Sequence, residues 1–285
     1  MGSHQLESLP ARPPWKRVVG LLGDGAGMGG LAGIAPGTLE EIADATMSAS
    51  DAGLKRAKRD EGLSYAFYLL TQVTQAARQT DFTKALTRCG VRAPDLAAAG
   101  DAGAEAKPAD TIYELVANFT NAVDRHLRKT RTRSDISELA QRAAAESLTS
   151  LCAGPSQTLF GTSADTVQQS LRTFSTKAGF ARLAREYFAR LSREYLVYHL
   201  SRELSNHVGP TRRFSGVAEH NKFLRELDAH CRTSTVIVEE FAGTWYSKHN
   251  FHGGITREKA GGFVAHALDK MREALQYTGG PHAGA

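Results

Sequence analysis

Apolar residues return along most of the chain at intervals of three and four, the spacing of a helix that buries one face. Leu63, Ala66, Phe67, Leu70, Val73 and Ala77 form one stripe, and Ile112, Leu115, Phe119, Val123 and Leu127 form a second. A third runs through Phe180, Leu183, Ala184, Tyr187, Phe188, Leu191, Tyr195 and Tyr198, and Leu196, Leu200 and Leu204 widen it enough to predict burial on more than one side. Phe263, Val264, Ala267, Leu268, Met271 and Leu275 form the last. Residues Thr38 with Glu41, Thr111 with Glu114, and Asp135 with Glu138 place a capping side chain three residues before an acid. Gly209 and Pro210 end the third stripe, and Gly279, Gly280 and Pro281 end the last.

These signals predict helices near 38–59, 62–79, 81–89, 110–129, 135–152, 164–206, 217–247 and 256–277. The β-branched run TVIV (235–238) is kept helical because Leu224, Leu227, Cys231, Val238 and Ala242 hold the helical spacing across it. The expected fold is all-α, a multi-helix bundle with a glycine-rich N-terminal segment and no major sheet. Its predicted organisation is a flexible Gly/Pro-rich segment over 1–37, a helical subdomain over 38–90, an Ala/Gly/Pro-rich linker over 91–107 and a helical bundle over 108–285. Leu183, Phe188, Leu191, Phe263, Val264, Leu268 and Met271 are predicted core.

Composition narrows the function classes. The 285 residues are 41% hydrophobic and 23% charged, ordinary for a globular chain, and no apolar run is long enough to span a bilayer, so no membrane partner is expected. Asp24 and seven glycines between Val18 and Ala35 argue against a secretory signal there. Three widely spaced cysteines, Cys89, Cys152 and Cys231, suit reduced thiols and a cytoplasmic location better than a disulfide framework. The net charge of +5 is compatible with nucleic acid or an acidic partner and requires neither.

Several constellations bear on chemistry. Gly25, Gly27 and Gly30 follow a segment at 16–22 that reads as a strand, but Pro36 and Gly37 interrupt what should be a βαβ unit, so no dinucleotide site and no cofactor is expected. His249 and His252 form an H-x-x-H after Glu239 and Glu240 that lacks further ligands for a tetrahedral set, so no metal is expected. The basic run Arg125, Arg128, Lys129, Arg131 and Arg133 suits a helix C-terminus. It is also the candidate nucleic-acid surface, although no aromatic platform is interleaved with it.

Arg193 with His199, and Arg202 with His207, fall at the spacing that marks ribonucleases of the HEPN superfamily, as do Arg213 with His220 and Arg225 with His230. Imidazole can move a ribose proton while guanidinium holds the phosphate. Ten histidines and many arginines give about two or three such pairs by chance. The segment 240–256 (EFAGTWYSKHNFHGGIT) predicts a recognition loop, with Trp245, Tyr246 and Phe251 as anchors and Lys248, His249 and His252 as a polar rim. The alternative is that the rings pin an interhelical loop to the core.

The segments LSRELSNHVGP (200–210) and EEFAGTWYSKHNFHGGITREKAGGF (239–263) resemble uncharacterised helical proteins of bacterial anti-phage defence operons, of the QatB kind. The resemblance covers the last third of the chain and implies an accessory or scaffold subunit with other protein subunits as partners. The expectation is therefore a non-enzymatic interaction subunit, with a HEPN-like ribonuclease or toxin using an Arg/His pair as the alternative.

Overall fold

The computed structural model describes residues 12–23, 36–92, 111–156 and 164–277, and among these it contains twelve α-helices and no sheet. In order they are α1 (Arg12–Gly23), α2 (Pro36–Ala49), α3 (Asp51–Ala57), α4 (Glu61–Ala76), α5 (Phe82–Arg88), α6 (Ile112–Thr130), α7 (Asp135–Ser156), α8 (Ala164–Thr173), α9 (Lys177–Leu204), α10 (Val217–Ser234), α11 (Val236–Phe251) and α12 (Arg257–Tyr277). A short 3-10 turn at Ser205–His207 and a single bridge between Val208 and Phe214 separate α9 from α10.

Side-chain caps explain many of the helix starts. Thr111 accepts from the Glu114 amide at 3.1 Å, as its sequence predicts. Asp60, Asp81 and Thr176 accept from Leu63, Lys84 and Gly179. Two expected caps move. Helix α2 begins at Pro36, which puts Thr38 inside its first turn. The cap of α7 is Ser134 rather than Asp135: Ser134 and Ser137 each receive the other's amide on the hydroxyl, a reciprocal arrangement with serine in the acid's place. Ser134 also donates to Asp60, so the starts of α4 and α7 are tied together.

The long helix is α9, which packs against α11, α7 and α10. It buries Phe180, Leu183, Tyr187, Phe188, Leu191, Tyr195, Leu196 and Leu200, which is the burial on several sides that its wide stripe predicts. Helix α4 packs against α7, α12 and α6, and Phe67 projects from it into a cluster of rings. Its centroid lies 5.0 Å from Phe263, 5.5 Å from Tyr187 and 5.5 Å from Phe188. All seven predicted core residues of α9 and α12 are at most 3% exposed.

The structure corrects the expected organisation at several points. Residues 12–23, placed in a flexible segment with a strand at 16–22, form α1, whose Val18 and Leu22 lie one turn apart and are fully buried. Arg213 donates to the Leu21 carbonyl at the end of this helix. Residues of the predicted N-terminal subdomain and of the predicted C-terminal bundle share one continuous core, joined through α4. The glycine string Gly25, Gly27 and Gly30 and most of the predicted linker lie outside the described residues. The helix expected over 164–206 breaks at Phe174–Thr176, because Thr176 caps a new helix. The helix expected over 217–247 is divided at Thr235, whose hydroxyl bonds back to the carbonyls of Cys231 and Arg232. The recognition loop expected within 240–256 is mostly helix, since α11 runs on to Phe251 before Gly253 and Gly254 turn at φ 81° and 87°.

An ion-pair chain staples the outer faces of α7, α9 and α10. Arg142 meets Glu194 at 2.9 Å, and Arg193 bridges Glu194 at 2.8 Å to Asp228 at 3.7 Å. Arg232 then joins Asp228 at 2.8 Å to Glu186 at 2.6 Å, and Arg190 links Glu186 to Glu146. Burial pulls the Glu186 pKa up, but Arg232 and Arg190 outweigh it and hold the carboxyl below its usual range.

Candidate functional site

The end of α4, the corner between α8 and α9, and the end of α11 enclose an open groove of about 590 Å³. It is lined by Arg78, Arg172, Ser175, Thr176, Lys177, Tyr246, Ser247, Asn250 and Phe251. That lining holds three cations and no carboxylate, in a chain with 30 acidic residues. None of Arg78, Arg172 and Lys177 has an ion pair among the described residues, unlike the arginines along α9. Phe251 stands at the lip with 85% of its surface exposed, the most exposed large hydrophobic side chain described.

The walls are held by close backbone contacts. A Cβ at Gly243 of α11 would lie 2.7 Å from the Lys177 carbonyl, and one at Gly179 would collide with the Thr173 carbonyl. Only glycine lets α11 seat against the start of α9 and lets the α8–α9 corner close. Gln168 of α8 donates to the carbonyls of Ala77 and Gln79 at 3.1 and 2.8 Å, which ties that corner to the end of α4. Gln75 donates to Asn250 across the groove's inner edge. Lys177 is the first residue of α9, and no acid stands in that helix's first turn. The positive end of the helix dipole disfavours a cation there, so the charge is placed at a cost that an anion in the groove would offset.

The predicted recognition residues divide. Tyr246 is 2% exposed and stacks on Phe180 with centroids 4.2 Å apart, so it is floor rather than anchor, and burial raises its phenol pKa. Trp245 is half-buried against Phe263 at 4.5 Å. His249 packs beside Trp245, and burial, then Lys259, Lys248 and His252, lower its pKa. Lys248, Phe251 and His252 remain exposed. The expectation of an outward-facing aromatic loop is thus corrected: helical continuation of α11 turns Trp245 and Tyr246 inward and leaves Phe251 alone outward.

Arg125 donates to the Gly90 carbonyl at 2.7 Å, and Arg133 pairs with Glu138 at 2.7 Å and lies 3.9 Å from Asp124. Arg128, Lys129 and Arg131 are exposed at the end of α6, with Arg131 closing it at φ 55°. Arg193 is engaged by Glu194 and Asp228. His199 is buried among Tyr195 and Tyr198, and burial, then Arg202, lowers its pKa to about 4. Arg202 lies over the Tyr198 ring at 5.5 Å, and His207 sits in the 3-10 turn beyond. At Arg193 and His199, an imidazole inside the core and a guanidinium committed to carboxylates do not present a proton-transfer pair to a phosphate, whereas Arg202 is exposed and His207 half-buried. His249 and His252 find no ligand set with Glu239, which pairs with Arg185, and no three His, Cys, Asp or Glu side chains cluster as a metal site among the described residues.

Sequence reading missed Arg78, Arg172 and Lys177. One signal was present: neither Arg172 nor Lys177 has an acid three or four residues away, so neither has a helical ion-pair partner to account for it. No helix among the described residues is long and apolar enough to cross a membrane. The chain matches no protein-family model, no curated protein and no solved structure.

Proposed function

We propose that the protein is a non-enzymatic interaction subunit, a helical scaffold that presents the Phe251 groove to an anionic partner within a bacterial anti-phage complex of the kind its last third resembles. The observation that carries this reading is the groove itself: three cations with no carboxylate around a ring left 85% exposed. Leaving a Phe-sized side chain in water forgoes roughly 1.5 to 3 kcal/mol of burial, which contact with a partner recovers. At the Arg193/His199 pair, a buried imidazole and a guanidinium held by carboxylates favour binding over catalysis. Three cysteines outside any disulfide, two of them buried, suit a cytoplasmic setting.

The test is co-expression with the products of the flanking genes, followed by size-exclusion chromatography. The wild type is expected to elute in a complex, and Arg172→Glu with Lys177→Glu to elute free at unchanged melting temperature. A wild type that elutes alone, or that cleaves RNA in a His199-dependent way, contradicts the reading.

A further inference from the structure

We infer that the groove between α4, the α8–α9 corner and α11 binds single-stranded nucleic acid, with Arg78, Arg172 and Lys177 taking backbone phosphates and a base stacking on Phe251. The inference rests on the groove being the recognition face and names what it recognises.

Charge selects a polyanion. The three cations have no ion pair among the described residues, and the start of α9 adds the positive end of a long helix beside Lys177. The apolar feature then separates nucleic acid from an acidic peptide. A peptide anchor needs a desolvated pocket to enter, whereas here the apolar group is a ring projecting from the protein, 85% exposed. A flat base tolerates that geometry, because stacking covers one face of each ring and requires no enclosing hole. Asn250 and Ser247 supply a neutral amide and a hydroxyl that suit base edges and sugar oxygens. At about 590 Å³ the groove has the size of a small-ligand site, room for a short unpaired stretch and not for a duplex.

The basic run at the end of α6 is the weaker site on the same criteria. Arg125 and Arg133 are already engaged, and the nearby rings of Tyr65 and Tyr68 are covered by Arg257 at 5.0 and 5.8 Å. Cations without a free platform and a platform already occupied by a guanidinium do not make a stacking site.

The experiment is fluorescence anisotropy on the full chain with labelled oligo(dT) and oligo(U) of about 20 nucleotides, longer than one such groove covers, and with labelled poly-glutamate as the acidic-peptide probe. Binding of both oligonucleotides is expected to exceed that of poly-glutamate. Phe251→Ala is expected to weaken it about tenfold. Arg172→Gln with Lys177→Gln is expected to weaken it further and to reduce the slope of log K against log salt by about 1.4, the loss of two phosphate contacts on a single strand. Arg128→Glu with Arg131→Glu is expected to bind like wild type. Oligonucleotides that bind no better than poly-glutamate, groove variants that bind like wild type, or a salt slope unchanged in the double variant each overturn the inference. If oligonucleotides fail while the groove variants still dissolve the complex seen on co-expression, the inference falls and the interaction reading stands. If that complex is indifferent to the groove variants, the interaction reading falls.

Discussion

Gly243 lies against the Lys177 carbonyl so closely that a Cβ would come within 2.7 Å of it. This contact joins α11 to the first residue of α9 and thereby sets the distance between Phe251 and Lys177 across the groove. Ala at position 243 cannot be accommodated by a side-chain shift, since the opposing atom is backbone. Overpacking of this kind costs about 1 to 3 kcal/mol, so Gly243→Ala is expected to lower the melting temperature by several degrees. A thermal melt unchanged from wild type would show that α11 is free to move relative to α9.

Tyr246 and Phe251 are neighbours in sequence with opposite roles. Tyr246→Ala removes a ring packed on Phe180 and is expected to cost about 3 to 5 kcal/mol in urea unfolding. Phe251→Ala is expected to stay within about 0.5 kcal/mol of wild type. Equal losses would place Phe251 in the core.

His199 makes stability depend on pH. Its folded pKa of about 4 lies below the ordinary 6.5, so the unfolded chain takes up the proton first as pH falls. The neutral ring contributes fully above 6.5, and its contribution is lost progressively down to about 4. The total is of order 3 kcal/mol at 1.36 kcal/mol per pKa unit. His126 and His230 are shifted in the same direction by burial, so His199→Gln is expected to flatten the acid limb of a stability curve without abolishing it. An acid limb identical to wild type would place His199 in water.

The core was legible because Phe67, Phe188, Leu191 and Phe263 each belong to a stripe of helical spacing along their own helix, and that spacing has one physical cause, burial of the stripe. The breaks at Thr176 and Thr235 were not, since the apolar period runs through both and only local hydroxyl bonds interrupt it. Helix α1 was hidden by the glycines that follow it, which masked the buried pair Val18 and Leu22. Of the candidate site, Phe251 was visible as an aromatic beside a Gly-Gly turn. Arg78, Arg172 and Lys177 come from three separate elements, and only packing through Gly179, Gly243 and Gln168 brings them to one groove.

The claim that this groove is the recognition face is tested most directly by hydrogen–deuterium exchange of the chain alone and within the complex formed with the products of its flanking genes. Slowed exchange is expected in residues 172–180 and 244–254 on assembly, where the groove's walls lie. Slowed exchange elsewhere, with both segments unchanged, would contradict it.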